Sequence, residues 1–189
     1  MIIGLTGAAG CGKDTVARHL MVDPSWSKYA MATPLKTGLS VMFNIPYKDI
    51  ENPTLKNSPN YKFGRSIRYM AQTLGTEWGR NLIADDVWVQ LAKENITNIL
   101  RDGTSNVVIT DCRFDNEAEL VHDLGGIVIK IERSYNPHTS YVVSGGAIAH
   151  SSESGISFDK IDFIVHNNWS VPMLMEEIDK IIVQKLLEE

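Results

Sequence analysis

The stretch Gly7-Ala8-Ala9-Gly10-Cys11-Gly12-Lys13-Asp14-Thr15 follows an apolar run over residues 1–6 and opens a helical pattern over residues 15–20. Strand, glycine-rich loop and helix in that order leave few folds open. Glycines let the backbone turn tightly and approach a ligand closely. The loop N–H groups and the first turn of the helix then converge on one point and attract anions. Lys13 adds a cation for the outer phosphates of a nucleotide. One position departs from G-x-x-x-x-G-K-[ST]. Asp14 stands where a Ser or Thr would hold Mg²⁺, and the hydroxyl follows at Thr15. A carboxylate beside a triphosphate is repelled unless a metal lies between them. In the first turn of a helix the same carboxylate gains ~0.3–1 kcal/mol from the dipole. The alternative is a glycine-rich turn with an acidic helix start and no nucleotide. Placement directly after a buried-type strand argues for the phosphate loop, with Asp14 and Thr15 as candidate metal ligands.

The rest of the chain alternates in the same way. Asp23-Pro24-Ser25 is a turn, followed by a short strand over 26–30. Thr33-Pro34 reads as N-cap and first residue of a helix carrying Leu35, Leu39, Val41, Met42 and Phe43. Residues 44–62 are polar, rich in Pro and Asn and without periodicity, an excursion from the core. A helix resumes at Ser66 with Ile67, Met70, Ala71 and Leu74 on one face, and Gly75 is expected to end it. Asp85 or Asp86 caps the next helix, whose buried side is Trp88, Leu91, Ala92, Ile96, Ile99 and Leu100; Arg101-Asp102-Gly103 closes it. Apolar strands are expected over 106–111, 127–131 and 163–165. Helices are expected over 115–124 and from Ser170 onward, the latter with Leu174, Ile178, Ile181 and Ile182 inward. Residues 134–158, rich in Ser, Gly and His, form a long loop, a feature that in compact domains is usually functional or disordered. Buried strands alternating with helices imply an α/β fold with a parallel sheet covered on both faces. Ligands then gather at the carboxyl ends of the strands, where the loop, Asp111 and Arg133 converge.

With 189 residues and a net charge of −5, the chain fits one α/β domain and lacks the charge for a broad nucleic-acid surface. An anionic ligand needs a local basic cluster, and Arg65, Arg68 and Arg80 supply one; guanidinium groups grip phosphate with two parallel bonds. A solvated helix face explains them equally well. Tyr61, Phe63, Tyr69, Trp78 and Trp88 lie nearby and could stack on a base or belong to the core. Asp111, at the end of an apolar β-branched run, is either a Mg²⁺ anchor, directly or through water, or a turn cap. Arg113 faces phosphate or pairs with Glu117 at helical spacing. His150-Ser151-Ser152-Glu153 is a lid segment or a solvated loop. Cys11 and Cys112 lie at no metal spacing and fit reduced thiols; Cys11 is expected to be shielded from alkylation by nucleotide. No apolar run reaches membrane length and the apolar start is too short for a secretory signal, so a cytoplasmic location is expected.

Taken together, Gly12-Lys13-Asp14-Thr15, Leu74-Gly75-Thr76-Glu77-Trp78-Gly79-Arg80, Asp111-Cys112-Arg113-Phe114-Asp115-Asn116-Glu117 and His150-Ser151-Ser152-Glu153 resemble the deoxynucleoside monophosphate kinases of tailed bacteriophages, over about residues 1 to 170. The resemblance implies an adenylate-kinase-like P-loop fold. Its core would be 1–43, 81–133 and 159–189, its monophosphate-binding insertion about 44–80 and its lid about 134–158. It implies transfer of the ATP γ-phosphate, with Mg²⁺, to a 2′-deoxynucleoside monophosphate, in host cytoplasm if phage-encoded, and it is compatible with a homodimer. Gly10, Gly12, Lys13, Asp14, Thr15 and Arg133 would hold ATP, with Asp14, Thr15 and Asp111 at the metal. Lys36, Arg65, Arg68, Thr76, Glu77, Arg80 and Trp88 would surround the acceptor. Asp111, Arg113, Asn116 and Glu117 would line the junction, with Lys13, Asp111 and Arg113 catalytic, and His150 and Glu153 would sit at the lid. Arg133 is the only arginine between 132 and 158, which shifts charge neutralisation toward Arg113 and the insertion arginines. Two further readings are a kinase of another small metabolite, such as a dephospho-coenzyme A kinase-like enzyme, and a nucleotide-dependent switch; no guanine-specifying Asn-Lys-x-Asp is present. Replacing Lys13 with Ala is expected to lower turnover by orders of magnitude, measured as ADP release at saturating substrates.

Overall fold

The computed structural model describes residues 1–59, 62–133 and 155–188. Five strands form one parallel sheet: β1 (Ile2–Thr6), β2 (Trp26–Tyr29), β3 (Asn106–Ile109), β4 (Ile127–Glu132) and β5 (Phe163–His166), in the order β2-β3-β1-β4-β5. The helices are α1 (Lys13–Leu20), α2 (Thr33–Phe43), α3 (Tyr47–Glu51), α4 (Ile67–Gln72), α5 (Val87–Arg101), α6 (Asp115–Asp123) and α7 (Val171–Glu188). The expected α/β architecture is therefore observed. Every residue of β1 is buried, as a central strand with both faces covered requires. Successive side chains leave a strand on opposite faces. Ile3, Leu5, Ile129 and Ile131 pack with Val16, Ala17 and Leu20 of α1 and with Leu174, Ile178 and Ile181 of α7. On the other face Gly4 meets α6 so closely that a Cβ there would lie 2.8 Å from a methyl of Val121. Each fully buried Ile or Leu contributes about 1.5–3 kcal/mol, so this layer holds the strand ends in fixed register.

The strand order decides where a ligand can bind. After β1 the chain runs to the edge strand β2, returns to β3, and then crosses to β4 on the other side of β1. The connections leaving β1 and β3 thus part in opposite directions, and the crevice at such a switch lies at the carboxyl ends of the strands. The loop after β1 opens there.

The chain divides into two compact units, Met1–Tyr29 with Asn95–Glu189, and Ala30–Glu94. The sheet lies in the first. In the second, Leu35, Leu39, Ile45, Ile50 and Ile67 form a separate apolar cluster, against which Phe43, Met70, Ala71, Leu74 and Trp88 pack. Four expectations change here. The stretch 44–62 contains a five-residue helix, α3, too short to show a helical period in sequence. The N-cap of α2 is Ala32, already in helical conformation, so Thr33 falls inside the helix. Val41 and Met42, on that helix, face solvent. Most consequentially, the helix capped by the Ser66 hydroxyl does not stop at Gly75 but continues as a π-helix over Thr73–Ile83. Gly75 is needed for space: a Cβ on it would come 2.8 Å from Leu35.

Residues 134–154, most of the expected lid, lie outside the described residues. Beyond them, Ser157 donates its N–H and hydroxyl to the two carboxylate oxygens of Asp115, at 2.7 and 2.6 Å. These bonds hold the half-buried Asp115 carboxyl below its ordinary value. Among the described residues no helix is long and apolar enough to cross a membrane.

Gly79 is the most closely packed glycine of the second unit. A Cβ there would fall 2.6–2.8 Å from three atoms of the Trp88 indole, a rigid ring that cannot swing aside cheaply. Gly79→Ala is expected to destabilise the protein by about 1–3 kcal/mol through overpacking, read as a lower urea midpoint followed by tryptophan fluorescence.

Candidate functional site

The loop between β1 and α1 has the tight, glycine-dependent backbone that its sequence pattern implies. Gly7 and Gly12 have φ of 129° and 122°, a region that side chains resist. Space forbids a side chain too. A Cβ on Gly7 would strike the carbonyl oxygen of Ile131, at the end of β4, and one on Gly12 would lie 2.7 Å from Nδ2 of Asn167. Gly12 also begins α1, its carbonyl accepting the N–H groups of Thr15 and Val16, both at 3.0 Å. The Lys13 ammonium folds back over the loop and donates to the carbonyls of Gly7 at 2.6 Å and Ala8 at 2.9 Å. A cation is thus held at the loop by the loop's own backbone.

The other strand ends bring polar groups to the same edge of the sheet. Beyond β3, the N–H of Cys112 donates to the Leu5 carbonyl at 3.1 Å, which sets half-buried Asp111 alongside the end of β1. Glu117 resolves one open alternative. Its carboxylate is buried and accepts the backbone N–H of Arg113 at 2.7 Å and of Phe114 at 3.3 Å. Glu117 therefore closes the start of α6 as the return half of a capping box, and it shapes the Asp111–Asn116 corner that leaves Arg113 exposed and Asn116 half-buried. Arg133, past β4, is also exposed. Asp14 points outward, with the Lys28 ammonium 3.3 Å from its carboxylate, and the Thr15 hydroxyl accepts from Arg18 at 3.4 Å. Among the described residues no cluster of three or more acidic, His or Cys side chains forms a ready metal cage.

In the second unit Arg65 and Arg68 are exposed at the start of α4, with the Arg65 guanidinium 5.0 Å from the centroid of the Tyr69 ring, a cation–π contact. Arg80 differs from both. It is only 7% exposed and donates to the Asp85 carbonyl at 2.8 Å, so part of its fork braces the turn after the π-helix. Lys36 pairs with Glu51 at 2.9 Å. Thr76 is half-buried and Glu77 exposed on the π-helix. Trp88 donates its indole N–H to the Gly75 carbonyl at 2.7 Å and packs on Gly79, a structural engagement for the ring. Trp78 and Tyr69 remain open to solvent, and Phe63 meets Phe43 edge to face at 5.3 Å. Tyr61, His150 and Glu153 lie outside the described residues.

A family model described as deoxynucleotide monophosphate kinase matches residues 47–178. The chain belongs to that family. A mimivirus protein of Acanthamoeba polyphaga mimivirus, provisionally named a deoxynucleotide monophosphate kinase, is 32% identical over 144 residues, covering 70% of this chain and 74% of its own. The deoxynucleotide monophosphate kinase of Escherichia phage RB69 is 30% identical over 117 residues, 62% of this chain and 45% of the phage protein. The deoxynucleoside-5′-monophosphate kinase of Escherichia phage T5 is 26% identical over 82% of this chain and 85% of its own. A solved dephospho-CoA kinase from Campylobacter jejuni aligns over 97% of the chain and 96% of its own at 13% identity and a TM-score of 0.47, too distant to argue from.

Two residues of this kinase-family chain escaped the sequence pattern. Asn167 donates to the Cys11 carbonyl across 156 positions, and Lys28 meets Asp14 from β2. Their one sequence signal is position: Asn167 immediately follows a parallel strand, at the edge where ligands gather. Cys11 corrects another expectation. At 1% exposure it lies beneath the loop and cannot report nucleotide by alkylation. Burial, with Glu117 and then Asp111 nearby, also pushes the Cys112 thiol well up, so it stays protonated and inert at neutral pH. A thiol reagent is expected to label the native protein slowly, with or without ATP, and to count both cysteines rapidly in urea; a fast native phase would contradict this burial.

Proposed function

We propose that this chain transfers the γ-phosphoryl group of ATP, with Mg²⁺, to a 2′-deoxynucleoside 5′-monophosphate. The observation that carries the proposal is the glycine loop at the end of the central parallel strand, with the Lys13 ammonium bound to its carbonyls, in a chain of the deoxynucleotide monophosphate kinase family. Those residues fit the donor nucleotide: the Gly7 and Gly12 positions exclude side chains and leave backbone N–H groups to meet phosphate oxygens. Mg²⁺ retains several waters and is held chiefly by phosphates and one or two carboxylates; Asp111, beside the end of β1, and the Thr15 hydroxyl fit that role, whereas Asp14 would have to leave Lys28 to join them. When bound, the metal supplies charge neutralisation between the phosphate oxygens.

The chain's own part is then positioning and electrostatics. Lys13 exchanges loop carbonyls for the outer phosphates. Gly10 and the start of α1 cradle the inner ones. Arg113 and Arg133, exposed at the strand ends, offer guanidinium groups for charge that spreads over the transferring oxygens. No protein base is needed, because the acceptor is a phosphate oxygen that is already anionic. Within Ala30–Glu94, which includes the insertion expected over 44–80, Arg65 and Arg68 are the accessible forks for the acceptor phosphate. Thr76, Glu77, Lys36 and Arg80 offer polar groups from the π-helix and α2, and Tyr69 or Trp78 an exposed ring for the base. Asp111 and Asn116 complete the polar rim at the loop.

The test is ADP release from ATP and Mg²⁺ against a panel of deoxy- and ribonucleoside monophosphates. Turnover dependent on one or more deoxynucleotides is expected, and ADP release indifferent to every acceptor would overturn the proposal. Arg68→Ala is expected to lower kcat/KM for the acceptor roughly 10–100-fold, the worth of a hydrogen bond to a charged group, while leaving the KM for ATP near its original value.

A further inference from the structure

Asn167 is 9% exposed and sits where three parts of the first unit meet. Its backbone N–H donates to the Glu132 carbonyl at 2.7 Å, extending the β4–β5 ladder by one rung. Its side-chain Nδ2 donates to the Cys11 carbonyl at 2.7 Å, and the same nitrogen occupies the space a Cβ on Gly12 would need. The amide is therefore locked at both ends, in the sheet through its backbone and in the loop through its side chain. The acceptor is a particular one. The Cys11 carbonyl and the Gly12 N–H belong to one planar trans peptide unit and point in opposite directions. Clamping the carbonyl turns the Gly12 N–H away from Asn167. Gly12 stands directly before Lys13, at the N-terminus of α1, where the helix's own N–H groups have no intrahelical partner.

We infer that Asn167 is a positioning residue for the donor phosphates, setting the direction of the Gly12 peptide so that the loop is arranged before the nucleotide arrives. The inference rests on the donor-site reading above and names a residue outside the glycine-lysine motif. It also accounts for a buried amide here, since only a donor can hold a carbonyl. A loop organised in advance spends less of its binding free energy on ordering, so the effect falls on ATP and leaves the acceptor untouched.

The decisive variant is Asn167→Asp, nearly isosteric, in which the donor becomes a carboxylate that repels the Cys11 carbonyl at neutral pH. A carboxyl in this buried position is pushed up, so at mildly acidic pH it regains a proton and can donate through O–H. Binding of MgATP to the full-length wild type, Asn167→Asp and Asn167→Ala is measured by calorimetry at about pH 8 and about pH 5.5. Relative to wild type at the same pH, which cancels any protonation change in the nucleotide and in the neighbouring groups, Asn167→Asp should bind about tenfold or more weakly at the higher pH and recover most of that loss at the lower. Asn167→Ala should be weakened at both, and the KM for the acceptor should not move. Variants that bind within about twofold of wild type at both pH values, or an Asn167→Asp deficit that does not depend on pH, overturn the inference. One readout needs no variant: in the folded wild type the Asn167 side-chain amide should exchange slowly in the absence of nucleotide, and exchange at solvent rates overturns the clamp. Wild-type protein that binds no MgATP would instead overturn the donor-site reading, and this inference with it.

Discussion

A backbone that passes through Gly7 and Gly12 with φ well above zero is a conformation most sequences avoid, and it persists only if its surroundings leave no alternative. Here the surroundings are strand ends. Gly7 lies against the Ile131 carbonyl of β4, Cys11 is sealed beneath the loop, and Gly12 abuts the residue that follows β5. The apolar layers that bury β1, β3 and β4 on both faces thus do more than stabilise the sheet. They fix the positions of the three walls within which the loop must fold, and through them the directions of its N–H groups and the place of the Lys13 ammonium.

The second unit solves a different problem with the same means. Its arginines at the start of α4, Arg65 and Arg68, are exposed, and the helix that runs on from them has support from behind. Trp88 provides it, with its ring on Gly79 and its N–H on the Gly75 carbonyl. A π-helix widens the turn, and π-wound segments are frequent where function demands an irregular presentation of side chains. The division of labour among the arginines follows. Arg65 and Arg68 stand at the capped start of α4, open to solvent, whereas Arg80 is drawn inward to the Asp85 carbonyl.

Local patterns carried the first unit into view. The strands are unbroken apolar runs because both sheet faces are covered, and the loop declares itself because glycines with a lysine before a helix have little other use. What stayed hidden depended on contacts between distant residues. Gly75 reads as a helix end until Leu35, forty positions earlier in the chain, is seen to fill the space a Cβ would need. Asn167 reads as an ordinary polar residue after a strand until its amide is found on Cys11. Glu117 shows the limit of spacing arguments. Its distance from Arg113 suits an ion pair, and the carboxylate is instead committed to the backbone N–H of that same residue. The α3 helix, five residues long, gives too few turns for any period to emerge.

On the proposed function, a cradle held by the strand ends binds the donor so that a phosphoryl group passes directly to a deoxynucleotide. ATP labelled in its γ-phosphoryl group, incubated with Mg²⁺, the protein and a deoxynucleoside monophosphate, tests it in one step. The label is expected in the β-phosphate of the deoxynucleoside diphosphate, and Lys13→Ala is expected to abolish its appearance. Label recovered only as inorganic phosphate, whatever monophosphate is supplied, would contradict it.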